Sequence, residues 1–356
     1  MPNLSIAGAR GAAEPTVSVI LPAYNAAATL RQSLAPLSAM RARGEVAEII
    51  VVDDGSDDDT AAIAGAAGVA VLHSGGRLGP GGARNVAAAQ AIGDIFWFVD
   101  ADVVVHDDAA RVLVETMRRT GAAAVLGSYD DDPPAATFCS QYKNLVHHYY
   151  HSGAGGDVGT FWAGCGAIRR QAFVDAGGFD AARYPQSSIE DIELGLRLVR
   201  RGLRIHLAPA LLATHLKVWR LGPLLHTELF RRALPWSRLI VEHGWWSARL
   251  NMDRAERARA LLALCWLLEL GLAVASIAPW PLTLAMPGVV VAANARLFGF
   301  FGHRRGIAFA IGAVLFHQLY YLYSGAALAW CYAAGRAAAV AASFAGSGAS
   351  RQSSTR

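Results

Sequence analysis

The sequence predicts an α/β chain, a doubly wound sheet of Rossmann-like form, followed by an α-helical membrane domain. Three observations carry this expectation. Short β-branched and aromatic runs alternate with helix-length segments up to about residue 218, the pattern of a sheet wound with helices on both faces. Acidic, glycine-rich and aromatic residues follow those runs directly, at the edge where such sheets bind ligands. From Ala260 the chain turns apolar: Ala260–Ile277 is 18 residues with one charge, Glu269, and Ile307–Tyr323 is 17 with none. Such lengths suit membrane helices.

In chain order, residues 1–16 hold no apolar stretch of signal-peptide length and read as a disordered leader. Val17–Leu21 is a strand leading into Pro22-Ala23-Tyr24-Asn25, and a helix follows to about Arg43 with Gly44 as its cap. A second strand, Glu48–Val52, ends in Asp53-Asp54-Gly55-Ser56. Its carboxylates have two uses: accepting hydrogen bonds from a base or ribose, or capping the turn before a helix near Thr60. Val69–His73, a third strand, leads into the loop Gly75–Gly82. Its glycines let backbone approach a phosphate, although the spacing fits neither the P-loop nor the dinucleotide fingerprint. Arg84 then stands in the first turn of a helix, against the dipole, and an anionic ligand would account for it.

Ile95–Val99 is a buried central strand ending in Asp100-Ala101-Asp102. Two close carboxylates repel unless a cation lies between them. Mg²⁺ or Mn²⁺ held by one or two carboxylates keeps positions open for phosphate oxygens. A helix over Ala109–Thr120, a strand over Ala122–Gly127 and an exposed loop at Asp130–Asp132 come next. Thr137–His151, with Lys143, His147 and His151, reads as an amphipathic helix near the acceptor or the bilayer surface. The small residues around Gly164 leave room for a sugar beside the metal. Cys165 has no activating partner, and the four cysteines form no Cys-x-x-Cys pair. Ser187 or Ser188 caps a helix whose first turn holds Glu190, Asp191 and Glu193. A helix N-terminus keeps a carboxylate ionised, the state a general base needs.

The remainder divides into interfacial amphipathic helices over residues 219–259, three or four membrane helices over 260–335, and a tail over 336–356. Leu282–Leu297 forms a hairpin with the first span after Pro279 and Pro281, and Ala326–Gly346 is the candidate fourth span. Arg254, Arg257 and Arg259, with His303, Arg304 and Arg305, flank the spans on one side, which the positive-inside rule makes cytoplasmic. The expected location is therefore the cell inner (plasma) membrane, multi-pass, with the catalytic part in the cytoplasm. A net charge of +4 suits an anionic membrane surface. Nucleic acid is not an expected partner, since no basic stripe interleaved with aromatics stands out.

Six motifs in order, Ser18–Asn25, Val51–Ser56, Gly82-Ala-Arg-Asn85, Phe98–Asp102, Gly177-Gly-Phe-Asp180 and Glu190-Asp191, make the chain resemble an inverting family 2 glycosyltransferase with the GT-A fold over about Val17–Leu216. The resemblance implies residues 17–218 as a nucleotide-sugar-binding catalytic domain. It implies that Pro22, Tyr24, Asp54 and Arg84 contact base and ribose, with Asp100 near the ribose or diphosphate. Asp102, with His215 as a late ligand, would bind Mg²⁺ or Mn²⁺; Asp191 would be the base and Glu190 its support. One departure concerns the Gln-x-x-Arg-Trp of processive synthases, whose nearest counterpart is Arg232-Ala-Leu-Pro-Trp236. Trp236 remains a candidate acceptor contact, while processive synthesis loses support. The expected donor is a UDP-sugar and the expected acceptor a lipid or lipid-linked hydroxyl. The alternatives are transfer to polyprenyl phosphate, polysaccharide synthesis, a nucleotidyltransferase and an inactive membrane scaffold.

Overall fold

A computed structural model describes residues 14–153, 155–244 and 254–352, with side chains to residue 336. Most of the expected leader and part of the expected interfacial region, residues 245–253, lie outside the described residues. Nine strands form one sheet in the order β3-β2-β1-β4-β8-β6-β9-β5, with β7 also paired to β9. β1 (Val17–Ala23), β2 (Glu48–Asp53), β3 (Ala70–His73) and β4 (Ile95–Val99) make a parallel half. β5 (Val103–Val105) and β7 (Gly156–Val158) run antiparallel to β9 (Ile205–His215), and β9 runs parallel to β6 (Ala124–Tyr129). β8 (Cys165–Arg169) lies antiparallel between β4 and β6 and joins the two halves. The sheet is mixed for that reason.

Alternation along the strands sorts side chains to two faces. Val17, Val19 and Leu21 of β1, with Ile95, Trp97 and Val99 of β4, pack under α1 (Leu30–Ala42) and α4 (Ala109–Thr120). Ile20, Phe96 and Phe98 point the other way, under α3 (Gly79–Ala88), α6 (Arg170–Ala176) and α7 (Glu190–Arg200). The short α2 (Thr60–Ala66) packs beside α1 and β3. α1 buries Leu30, Leu34, Leu37 and Met40 at helical spacing, and Gly44 follows its end at φ +76° as its sequence position suggests.

α5 (Phe138–Ser152) is capped by Thr137 and lies between the sheet and the C-terminal helices. His147 and His151 are therefore packed inside the protein, not along a bilayer surface. After β9 a continuous helical stretch comprises α8 (Leu221–His226), a π-helical turn (Thr227–Ala233) and α9 (Leu234–His243). α10 (Arg254–Val274) and α11 (Trp280–Ala293) form the expected hairpin, joined by the Thr283 to Glu269 hydrogen bond of 2.6 Å.

The expected set of three or four spans is corrected here. α11 and α12 (Ala295–Arg305) meet at an 80° bend, so Leu282–Leu297 is no straight span. α13 (Ile307–Gln352) runs unbroken through the two segments read as separate spans. Among the described residues one helix, Ile307–Arg336, is long and apolar enough to cross a membrane, or two if the bent pair counts as one. The basic end of α12 turns toward the sheet domain: Arg304 pairs with Asp131 at 2.6 Å and Arg305 with Asp132 at 3.2 Å. The loop expected to be exposed thus docks the helices.

Gly195 of α7 rests on the chain before β8. A Cβ there would lie 2.4 Å from the Phe161 nitrogen. Gly195→Ala is expected to lower stability by about 1–3 kcal/mol through overpacking; an unchanged melting temperature would show that helix and loop separate freely.

Candidate active site

The site is assembled at the carboxyl ends of β1, β2 and β4 and at the N-terminus of α7. β4 ends at Val99, and a tight turn follows, with Val103 N donating to Asp100 O at 3.0 Å. The turn sends the two carboxylates apart. Asp100 meets Arg84 at 2.5 Å and Asp102 faces His215, with Oδ2 and Nε2 3.6 Å apart.

Arg84 is buried and joins two elements far apart in sequence: Nη2 donates to Asp100 and Nη1 to Glu190 at 3.3 Å. The helix starts earlier than the sequence suggests, so Arg84 falls in its second turn, and the anions it meets are internal. The side chain ties β4 to α7, and its expected contact with base or ribose stays a proposal. Burial works against its charge, but Asp100, Glu190 and Asp191 keep its pKa raised. Burial, with Asp102 and Asp191 nearby, raises Asp100 despite Arg84. Burial and Asp191 likewise raise Glu190, which also accepts from Ser188 N at 2.8 Å. Neither Ser187 nor Ser188 caps α7 through its side chain; Ser188 instead donates to Arg231 O in the π-helical turn at 2.7 Å.

Asp191 is held from within its helix, where Ile192 N donates to Oδ1 at 2.8 Å, and from outside it. Ala163 N donates to its Oδ2 at 3.0 Å. Gly164 contributes backbone: its carbonyl accepts from Asp100 N at 3.2 Å, and a Cβ there would lie 2.6 Å from the Trp162 ring. The small residues of this loop make room for Trp162 and for the turn that carries Asp100.

Asp54 is buried and both its oxygens are occupied, accepting from Leu78 N and Gly79 N at 2.8 Å each. It anchors the glycine-rich loop in this structure. Gly79, at φ +75°, would place a Cβ 2.5 Å from the Pro185 carbonyl oxygen, so the loop needs glycine there. Pro22 sits near the end of β1 beside Val52. Tyr24 is exposed, with the Arg77 guanidinium 3.6 Å above its ring.

Several contributors carry no sequence motif. Tyr129 stacks on His215 at 4.4 Å and 7°, and packs on Trp162 and His147. Only the pairing of β6 with β9 brings Tyr129 and His215 together. Trp236 lies elsewhere, lining a cavity of about 220 Å³ between α5, α9 and α13 together with Lys143, Glu228 and Arg232.

Asp102 and His215 fit a divalent ion of the Mg²⁺ or Mn²⁺ kind by donor type, a carboxylate with an imidazole whose plane Tyr129 holds. Burial opposes the charge on Asp102, yet His215 and Lys217 bring its pKa below the ordinary value. Among the described residues no three His, Cys, Asp or Glu side chains converge as a metal cluster. Two protein donors leave most coordination positions to ligand oxygens and water.

Residues 18–177 match the family model described as glycosyl transferase family 2. These residues form a family 2 glycosyltransferase domain. The chain is 27% identical over 239 residues to the probable glycosyltransferase YdaM of Bacillus subtilis, covering 63% of this chain and 55% of that protein. It is 28% identical over 228 residues to the pre-mycofactocin glycosyltransferase of Mycobacterium tuberculosis, covering 58% and 43%. The chain thus spans about half the length of these curated relatives. The mannosyltransferase PcManGT of Pyrobaculum calidifontis, solved with GDP-Man and Mn²⁺, shares the fold at a TM-score of 0.53 and 18% identity, over 89% of this chain and 88% of that one. The sheet of the family 2 domain is accordingly a GT-A fold, followed here by helices.

Removing the Arg84 cation leaves the buried Glu190 and the partly exposed Asp100 uncompensated. Arg84→Met is expected to cost about 3–5 kcal/mol at neutral pH. The loss should shrink in mildly acidic buffer, because protonating Asp100 and Glu190 removes the buried charge; a deficit independent of pH would point to lost packing alone.

A second expectation concerns His151, whose pKa burial lowers to about 4 although the Gly127 carbonyl opposes this. A histidine held neutral in the fold takes up its proton first in the unfolded chain, so stability falls as pH drops from about 6.5 to about 4. The contribution is on the order of 3 kcal/mol, read as the difference in pH-dependent melting between wild type and His151→Gln.

Proposed function

We propose that the chain is a membrane-anchored inverting glycosyltransferase of cell-envelope glycoconjugate synthesis. It moves a sugar from a nucleoside diphosphate sugar, with UDP the expected nucleotide, to a hydroxyl of a lipid or lipid-linked acceptor. The observation that carries this reading is the placement of Asp191. Its carboxylate is held by Ala163 N beside Glu190, and Arg84 links Glu190 to the turn bearing Asp100 and Asp102.

Asp191 takes the acceptor hydroxyl proton as that oxygen attacks the anomeric carbon from the face opposite the diphosphate. The carbon–oxygen bond to the diphosphate breaks, and its electron pair leaves with the nucleotide. Glu190 sets the start of α7 through Ser188 and Arg84. Asp102 and His215 would hold Mg²⁺ or Mn²⁺, which when bound neutralises charge on the leaving diphosphate. Tyr24 offers a ring for the base. Asp54 acts through the glycine-rich loop, and Asp100 positions the turn.

Anchoring is supported by the exposed apolar side chains along the helical region, among them Leu261, Leu268, Leu284, Ile311 and Trp330. α13 is the proposed span, at the inner (plasma) membrane. Arg304 and Arg305, tied to the sheet domain, support a cytoplasmic side for that domain under the positive-inside rule. A catalytic domain over 17–218, interfacial helices over 219–259 and a membrane region over 260–335 are the divisions proposed.

The test is transfer from a panel of nucleotide sugars to extracted membrane lipids, with detergent-purified full chain and Mg²⁺ or Mn²⁺. Asp191→Asn is expected to lower transfer by about 10²–10⁴-fold while donor still binds. Asp102→Asn is expected to weaken metal-dependent donor binding. Wild-type transfer rates in Asp191→Asn protein would overturn the assignment of the base.

A further inference from the structure

The cavity that Trp236 lines combines a charged cluster with apolar surface. In the cluster Glu228 meets Lys143 at 2.7 Å, Arg232 at 3.5 Å and the Tyr323 hydroxyl at 3.3 Å. The cavity wall sets Lys143, Arg232 and Arg257 against Glu228 and Glu256, which leaves a formal surplus of one positive charge. The indole Nε1 of Trp236 is a buried donor with no acceptor among the described residues. Phe316, Leu328, Leu224 and Ile240 add apolar surface to the wall, and α13 also lines it with Tyr320, Tyr321 and Tyr323. A volume of about 220 Å³ far exceeds the ~30 Å³ share of one water.

The cavity is joined to the reacting centre. Ser188, which precedes the Glu190-Asp191 pair, donates to the Arg231 carbonyl. Trp236 packs with Ile192 against the cluster holding Ile189, and Arg232 lies within electrostatic range of both Asp191 and Glu190. π-helical turns recur at functional sites, and this one places Arg232 and Trp236 on the same wall.

We infer that this cavity seats the acceptor, and that the acceptor is an amphiphile with a phosphate between its apolar chain and the hydroxyl that reacts. Arg232 and Lys143 pair with the phosphate, the Trp236 indole donates to it, and the chain runs along Phe316 and Leu328 toward the membrane-facing surface of α13. The hydroxyl then lies on the Asp191 side of Arg232. A neutral lipid would leave the surplus charge and the indole N–H unmet. This inference rests on the glycosyltransferase reading of the site.

The experiment uses the full chain in neutral maltoside detergent and reads the melting temperature with dodecyl phosphate, dodecyl glucoside or inorganic phosphate added. Dodecyl phosphate is expected to stabilise the wild type, and the other two are not. Arg232→Gln should weaken that binding at least tenfold. Gly325→Leu is a second probe: a Cβ at Gly325 meets nothing within 4 Å, so the larger side chain enters the cavity without clashing with the helix. It should also weaken binding at least tenfold, while its ligand-free melting temperature reports that it folds. Equal stabilisation by dodecyl glucoside, stabilisation by inorganic phosphate to the same extent, or unchanged binding in both variants would overturn the inference. Turnover of nucleotide sugars by the wild type is scored separately. Its absence would sink the glycosyltransferase reading, whereas turnover without phosphate selectivity in the cavity would sink this inference alone.

Discussion

One buried cation holds the site together. Arg84 lies in the second turn of α3 with its side chain buried, and Asp100 and Glu190 offset the cost of burying that charge. Those carboxylates come from the end of β4 and the start of α7. Each would be costly to bury alone; together with the guanidinium they form a compensated cluster. Its consequence is positional: the turn bearing Asp102 and the helix bearing Asp191 cannot move apart without exposing an unpaired charge. Asparagine in the same motif adds a neutral clamp. Asn85 exchanges hydrogen bonds of 2.8 and 2.9 Å with the backbone of Phe179, while Gly178 beside it leaves room for the amide.

Much of the sheet was legible in the residues because a buried parallel strand needs a short β-branched run and little else. β1, β2 and β4 coincide with such runs to within two residues at either end. The sites at their ends were legible for the same reason, since topology sends every strand end to one edge. Individual side-chain directions were not. Arg84 and Asp54 read as ligand contacts in the linear sequence, and in this structure Arg84 meets Asp100 and Glu190 while Asp54 accepts from loop backbone; only the fold decides which anion or donor lies nearest. Tyr129 gave no signal, because its partner His215 is brought beside it solely by the pairing of β6 with β9. The helical region was misjudged in its breaks. Proline and glycine suggested where helices end, but α13 carries Gly325 within its length, and the sharp bend falls at Asn294.

The sheet domain and the helices are bound by charge at one corner and by packing at another. Asp131 and Asp132 hold Arg304 and Arg305, while Tyr142 of α5 donates or accepts at His317 of α13 over 2.7 Å. Asp130, next in line, accepts from Thr214, the neighbour of His215. The loop that grips the helices is thus the same loop that lies beside the proposed metal ligands. Orientation of the site relative to the C-terminal helices is set by this corner, without any long lever between them.

The stack of Arg77 on Tyr24 has a bearing on selectivity at rest. An exposed cation–π contact is worth about 0.5–1 kcal/mol. A base that takes the same ring face must first displace the guanidinium, so its apparent affinity is reduced by about two- to fivefold relative to a bare ring. A nucleotide carrying phosphates gives the displaced arginine a new anionic partner, which a free nucleoside lacks. On the proposed role of Tyr24, the resting contact would act as a threshold against bases that arrive without their phosphates.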